Sequence, residues 1–184
     1  MDKEECIKET KAHIAEVAKL LQKIATQLLH RARMHDDTKL KEPELPLFME
    51  YTPKLKEQVF GSDEYNESLK GLKVALDHHY NEYPHHPEHF GEAGIKGMSL
   101  VDLIEMICDW KASSMRTKDG DIVKSINGYS QKRFKFSDEL KQIFLNTVQR
   151  ELMEDGVCSS CKGDGKPHDT VHDVDKIYQE EEDE

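Results

Sequence analysis

Two adjacent residues, His35 and Asp36, give the first indication of metal chemistry in this sequence. An imidazole nitrogen beside a carboxylate oxygen suits a borderline or hard divalent cation, but one pair supplies too few ligands to hold it. Further candidate ligands lie on both sides of the pair. They are His13, five histidines between positions 78 and 89, and Asp109.

The spacing of apolar residues predicts that helices position these groups. Apolar residues recur at intervals of three and four over positions 5–33, 69–79, 100–108 and 140–152. No stretch shows the sustained alternation of a strand, so we predict an all-α helical bundle with a short C-terminal appendage. Three prolines between positions 43 and 60 predict short, broken helical pieces there.

Helical phase separates the neighbouring histidines at 78 and 79. His79 follows Leu72 by seven residues and Leu76 by three, so it shares their apolar face, whereas His78 points to a neighbouring side. His13 lies on the flank of the apolar stripe of the first helix. Asp109 stands between Cys108 and Trp110, which indicates that it lies close to buried surface.

The segment His85–His86–Pro87–Glu88–His89 is a histidine-rich loop bounded by prolines. It has two interpretations, a lid that lines a metal site or a pH-sensitive exposed surface. We favour the lid because functional residues concentrate on loops. Within it we prefer His86 to His85 as a ligand, and Glu88 could orient a ligand imidazole.

The ordered set His, His-Asp, His, His, Asp resembles the HD superfamily of metal-dependent phosphohydrolases. The stretches HDDTK, HHYNEYPHHPEH and DLIEMICDWKA are similar to a small HD-type family of uncharacterised proteins from bacteria and phages. The similarity extends over positions 5–150. It implies a catalytic domain that is an HD-domain-like helical bundle, with metal ligands at His13, His35, Asp36, His79, His86 and Asp109.

The number of ions has two interpretations. Four imidazoles and two carboxylates suit two ions about 3.5–4 Å apart that share Asp36. Alternatively, one ion binds His13, His35, Asp36 and Asp109, and His79 and His86 act as acid or base. The expected metals are Mn, Fe, Co, Mg or Ni.

Either arrangement predicts a metal-dependent phosphohydrolase that acts on a nucleotide or related phosphate ester. Lys39, Asp36 and Glu88 are candidate catalytic groups. Lys39, one helical turn after Asp36, together with Lys124 and Arg133, could neutralise the substrate's phosphate. Two alternatives stay open, a di-iron oxygenase of the HD type and a non-catalytic module that binds a nucleotide or a protein on a degenerate HD fold.

The C-terminal segment differs in character from the rest. Cys158 and Cys161 lie in a C-x-x-C-x-G-x-G pattern, which is similar to one zinc-knuckle repeat of J-domain chaperones. His168 and His172 could complete a structural zinc site, and a flexible tail without metal is the alternative. We therefore predict a catalytic domain over 1–154 and an acidic appendage over 155–184.

Charge and composition limit the partners. The 184 residues carry a net charge of −11, and an acidic chain without a basic stripe argues against duplex nucleic acid as a partner. No apolar run approaches the ~18 residues that a membrane span needs. We expect a cytoplasmic protein with a small phosphorylated substrate, and an oligomer is compatible with the sequence.

Overall fold

The computed structural model describes residues 1–58, 62–116 and 120–152, and all regular structure in these ranges is helical. The all-α prediction is therefore confirmed. None of the helices in these ranges combines the length and apolar character that crossing a membrane requires. The α-helices are α1 (Lys3–Met34), α2 (Glu44–Glu57), α3 (Asp63–Glu82), α4 (Leu100–Met115), α5 (Ile122–Ser125), α6 (Gln131–Phe134) and α7 (Asp138–Thr147).

Tighter and wider turns connect these helices. Single 3-10 segments cover Asp37–Leu40 and Pro87–Gly97, and the second is interrupted at Gly91 and Gly94, where φ is positive. Wider π-type turns cover Ile126–Ser130 and Val148–Leu152.

Local polar residues fix where several helices begin. Ser62 accepts a hydrogen bond from the backbone N–H of Tyr65 at the start of α3. At the start of α4, the backbone N–H of Ser99 donates to Asp102 and the N–H of Asp102 donates to the Ser99 hydroxyl. This reciprocal pair is a capping box, and it gives Asp102 a structural task.

Helix α2 corrects the expectation of short, broken pieces between 43 and 60. Pro43 is its N-cap and Pro46 lies in its first turn, where backbone N–H groups have no partner within the helix. Pro53 is accommodated inside the helix. The packing of α2 on α3 offsets the cost of a proline inside the helix. This packing is tight, because a Cβ added at Gly71 would lie 2.2 Å from the Tyr51 ring, so only glycine permits the approach.

The chain forms two compact units, Met1–Met106 and Ile107–Glu184. In the first unit, α2 packs on α3 and on the turn Asp37–Leu40, and α3 packs on the segment Pro87–Gly97. In the described part of the second unit, Trp110 stacks on Phe134 with ring centroids 5.5 Å apart, and Phe136 meets Phe144 edge to face. The domain boundary predicted at 154/155 lies outside the described residues.

Helix α1 confirms the prediction of one long helix, but its apolar stripe does not enter a core. None of its residues is buried. Ile14, Leu20 and Leu21 are 57–65 % exposed, and Ile7, Val17 and Ile24 are 40–44 % exposed. The stripe therefore serves another purpose than packing within the described part of the chain.

Candidate metal centre

The first unit brings four potential ligands to one point. One ligand atom from each of Asp36, His79, His85 and His86 lies within 4.8 Å of every other. Asp36 belongs to the turn after α1, His79 to the last turn of α3, and the other two to the loop before Pro87. We call these four residues the metal cluster.

An unusual backbone conformation places Asp36 in this cluster. Its φ is +57° and its ψ is +15°, in the left-handed region that few residues other than glycine adopt, although aspartate tolerates it. Its carbonyl accepts a hydrogen bond from the backbone N–H of Lys39, which begins the turn Asp37–Leu40. The chain thus changes direction sharply at the end of α1, immediately after His35.

The Nε2 atoms of the surrounding imidazoles face the Asp36 carboxylate. His79 Nε2 lies 3.1 Å and His85 Nε2 3.6 Å from Asp36 Oδ1, and His35 Nε2 lies 3.6 Å from Oδ2. His86 joins through its own Nε2, which is 3.0 Å from His79 Nε2. Four imidazole nitrogens and one carboxylate therefore converge.

The opposite ring nitrogens of three of these histidines face other carboxylates. His79 Nδ1 lies 3.1 Å from Glu44 Oε2. His35 Nδ1 and His85 Nδ1 lie 3.0 and 3.2 Å from Glu105 Oε1. A carboxylate at Nδ1 favours the proton on that nitrogen, so the Nε2 lone pair is left facing Asp36, as in carboxylate–histidine–metal arrangements.

The two outer carboxylates are held differently. Glu44 is completely buried and accepts hydrogen bonds from the adjacent histidines of α3, His78 at 2.7 Å and His79 at 3.1 Å. Glu105 is also paired with Arg31, whose second guanidinium nitrogen lies 2.7 Å from Asp102. Because Arg31 neutralises Glu105, we assign Glu105 to the support of the rings rather than to direct ligation.

The protonation of the centre suits a cation. Burial would raise the pKa of Asp36, but the adjacent His79 ring and the Lys39 ammonium hold that pKa well below its ordinary value. Burial also opposes ionisation of Glu105, whose pKa the His35 and His85 rings and Arg31 hold low. Burial, reinforced by the neighbouring His85 and His79 rings, lowers the pKa of His86 to about 2. The centre thus presents anionic carboxylates and a neutral His86 ring at pH 7.

Unsatisfied buried atoms test whether these residues fit a metal. Asp36 Oδ1 and both ring nitrogens of His85 are buried and make no well-directed hydrogen bond, and such groups are costly in a folded protein unless something binds them. Two nitrogens that bind one ion at about 2.1 Å and at a right angle are about 3.0 Å apart, the distance between His79 Nε2 and His86 Nε2. An N–H···N hydrogen bond between His79 and His86 would also explain this distance. It would not explain the two unpaired ring nitrogens of His85. The donor set therefore fits a divalent cation.

Several of the predicted ligands meet in this centre. His35, Asp36, His79 and His86 all contribute, and His79 points inward with 1 % of its side chain exposed while His78 is 37 % exposed. Lys39 Nζ is 2.5 Å from Asp36 Oδ2, and its contact with a substrate phosphate stays a prediction.

The structure corrects the prediction that His13 is a metal ligand together with His35. It is exposed near the middle of α1, an unbroken helix that continues to Met34. At 1.5 Å per residue, the 21 residues between His13 and Met34 place it about 30 Å from the centre. His13 and His35 of one chain therefore cannot share an ion.

Three contributors were missed from sequence. The loop analysis preferred His86, but His85 is the more deeply buried and lies between Asp36 and Glu105. Neither Glu44 nor Glu105 was singled out among the acids of the sequence. One signal was available for Glu105: it lies on the apolar-rich helix α4, one turn after the capping residue Asp102.

The roles of the other predicted site residues stay predictions. Asp109, Lys124 and Arg133 belong to the second unit, Asp109 one turn after Glu105 on α4. Glu88 lies in the loop segment that follows His86, and its role stays a prediction. The proposed zinc ligands Cys158, Cys161, His168 and His172 fall outside the described residues.

Comparison with known proteins gives a family but no activity. The chain belongs to a family of unknown function (DUF5662), whose model matches residues 2–150. No curated protein and no solved structure is significantly similar to it. The matched range includes every residue of the metal cluster and its supporting carboxylates.

Proposed function

We propose that the chain is a metal-dependent phosphoric ester hydrolase and that Asp36, His79, His85 and His86 hold its catalytic ion. The observation that carries this proposal is the convergence of imidazole Nε2 atoms on Asp36 Oδ1, with Glu44 and Glu105 behind the rings. A satisfied structural histidine needs a partner for each ring nitrogen. A cluster that aims its unprotonated nitrogens at one carboxylate instead suits a cation.

The chemistry of such a site follows from its ligands. A divalent ion held by imidazole and carboxylate lowers the pKa of bound water and polarises a phosphoryl oxygen. The residues of this chain contribute orientation and charge: Glu44 fixes the tautomer of His79, Glu105 fixes that of His35, and burial keeps His86 neutral. Asp36 stays anionic and would hold a cation by its carboxylate.

Lys39 is the group that we assign to the substrate. Its ammonium contacts Asp36 Oδ2, and a third of its side chain is exposed, so it borders the cluster on the solvent side. From that place it can contact a phosphate oxygen of a substrate, which we expect to be a nucleotide or related ester. Lys124 and Arg133 remain candidates for the same task.

The number of ions stays open between one and two. The cluster supplies one ion with three imidazoles and a carboxylate oxygen, and His35 faces the second oxygen of Asp36. A second ion there would have to displace the Lys39 ammonium from Oδ2. We therefore expect the cluster to bind its ion first and more tightly than any second ion.

The test combines metal analysis with a hydrolysis assay. Purified protein is stripped with a chelator, reloaded separately with Mn²⁺, Fe²⁺, Co²⁺, Mg²⁺ or Ni²⁺, and analysed for metal per chain. Phosphate release is then measured with nucleoside monophosphates, cyclic nucleotides and short oligonucleotides. The variants are His79→Ala and His85→Ala. His89→Ala is the matched control, because His89 is an exposed histidine of the same loop whose ring contacts the Tyr80 carbonyl and the Phe90 ring and is not part of the metal cluster.

We expect metal-dependent phosphate release that both cluster variants lose and His89→Ala keeps. Absence of bound metal in the wild type, or retention of the metal by His79→Ala, would refute the site. Metal binding without phosphate release, accompanied by O₂ consumption in the iron form, would favour the oxygenase alternative. Metal binding without any turnover would favour a binding module.

A further inference from the structure

We propose that the exposed apolar face of α1 pairs with α1 of a second copy of this chain as an antiparallel coiled coil. The face follows a seven-residue repeat. Ile7, Ile14, Leu21 and Leu28 are seven residues apart, and Val17 and Ile24 occupy the position three residues after Ile14 and Leu21. This proposal does not depend on the proposed function.

The repeat distinguishes a coiled coil from an ordinary amphipathic surface. Apolar residues that recur every 3.5 residues over three to four heptads stay in register only when two helices wind around each other. Helix α1 has 32 residues, about 48 Å of helix, so it is long enough for such a contact. All six side chains but Leu28 are at least 40 % exposed, and no described element of the chain buries this face.

The charges of α1 select a second copy in the antiparallel orientation. Residues 2–16 contain five acids and three lysines, a net charge of −2, and residues 17–34 contain two lysines and two arginines without an acid, a net charge of +4. Antiparallel pairing sets the acidic half against the basic half, whereas parallel pairing sets the two basic halves side by side. The helix dipole explains charges in the first and last turns only. Within the middle of the helix, Glu16 and Lys19 pair with each other, whereas neither the dipole nor this pair explains Glu9 and Lys23.

The pairing also matches side-chain sizes. In an antiparallel register centred between residues 15 and 16, Ile14 faces Val17 of the second copy and Ile7 faces Ile24. Leu21 then faces Thr10, and Leu28 faces Lys3 at the end of the seam. His13 lies beside this seam, which gives the exposed histidine of α1 an environment that the single chain does not supply.

Sedimentation velocity over a range of concentrations tests the pairing. We expect the wild-type protein to dimerise and Ile14→Glu to be monomeric with unchanged helix content. Ala12→Glu is the matched control, because it adds the same charge one half-turn away on the opposite side of α1 and should leave the dimer intact. The dissociation constant of the wild type should rise several-fold with added NaCl, because opposite charges attract across an antiparallel seam.

Four results would overturn the proposal. They are a monomeric wild type, a dimer that survives Ile14→Glu, a dimer whose dissociation constant falls with added salt, and a monomeric protein whose melting temperature is lowered by Ile14→Glu. The third result would indicate parallel pairing. The fourth would show that residues of the same chain cover the face.

Discussion

Replacing Glu44 with Gln is the most direct test of how the metal centre is built. Glu44 is fully buried, and its two oxygens each accept one imidazole N–H, from His78 at 2.7 Å and from His79 at 3.1 Å. Glutamine keeps the shape of the side chain but has one oxygen, so it can accept from only one of the rings. The amide N–H of the glutamine would face Nδ1 of the other ring, and this contact favours an unprotonated Nδ1 that accepts the hydrogen bond.

The expected loss can be worked from this geometry. If His79 is the ring that loses its acceptor, its proton moves to Nε2, the nitrogen that faces Asp36 and His86. A protonated Nε2 cannot bind a cation. Loss of such an outer carboxylate weakens metal binding by about 10- to 100-fold, which corresponds to about 1.4–2.7 kcal/mol.

The assay is competition for Co²⁺ or Zn²⁺ against a chromophoric chelator, with the histidine tautomers followed by ¹⁵N NMR. Glu50→Gln is the control, because Glu50 is an exposed glutamate of the same helix paired with Lys54. We expect Glu44→Gln to bind at least tenfold more weakly and to show His79 with its proton on Nε2. A dissociation constant within twofold of the wild type, in a variant that remains folded, would refute the role assigned to Glu44.

Three further variants probe other parts of the structure. His13→Ala should leave metal content and metal affinity unchanged, since α1 holds this residue far from the centre; loss of the ion would mean that His13 reaches it from another chain. Arg31→Ala should lower the free energy of unfolding by about 2–3 kcal/mol, because it removes the cation paired with the nearly buried Asp102 and Glu105. A loss of less than about 1 kcal/mol in denaturant unfolding would show that this pairing is dispensable. Phe144→Ala should cost about 3–5 kcal/mol, because it leaves a cavity beside Trp110, whose fluorescence reports the transition; an unchanged midpoint would contradict the packing described.

The helices could be predicted largely from local sequence signals. Ser62, Ser99 and Ser137 mark the starts of α3, α4 and α7, and each accepts a backbone N–H close by in sequence. Apolar spacing gave the length of α1 and the inward direction of His79. Such signals involve neighbouring residues only, so they need no knowledge of the tertiary fold.

The support of the centre could not be predicted in the same way. Glu44 lies 35 residues before His79, and Glu105 lies 70 residues after His35, so neither pair has a spacing that marks it. His85 and His86 are adjacent on a loop without helical phase, and both contribute because the rings pack together with centroids 4.1 Å apart. Periodicity predicts which residues point inward, but the partner of a buried polar group depends on which elements meet.

The charged groups around the imidazoles impose an order of binding. In the first unit, Asp36, Glu44, Asp102 and Glu105 contribute four negative charges, and Lys39 and Arg31 contribute two positive ones, so these six groups carry a net charge of −2. A phosphate ester is itself an anion, and it would be repelled from such a centre at short range. A divalent cation cancels the excess. Metal is therefore expected to bind before substrate, and the apparent affinity for a phosphate ester should rise with metal concentration until the cluster is saturated.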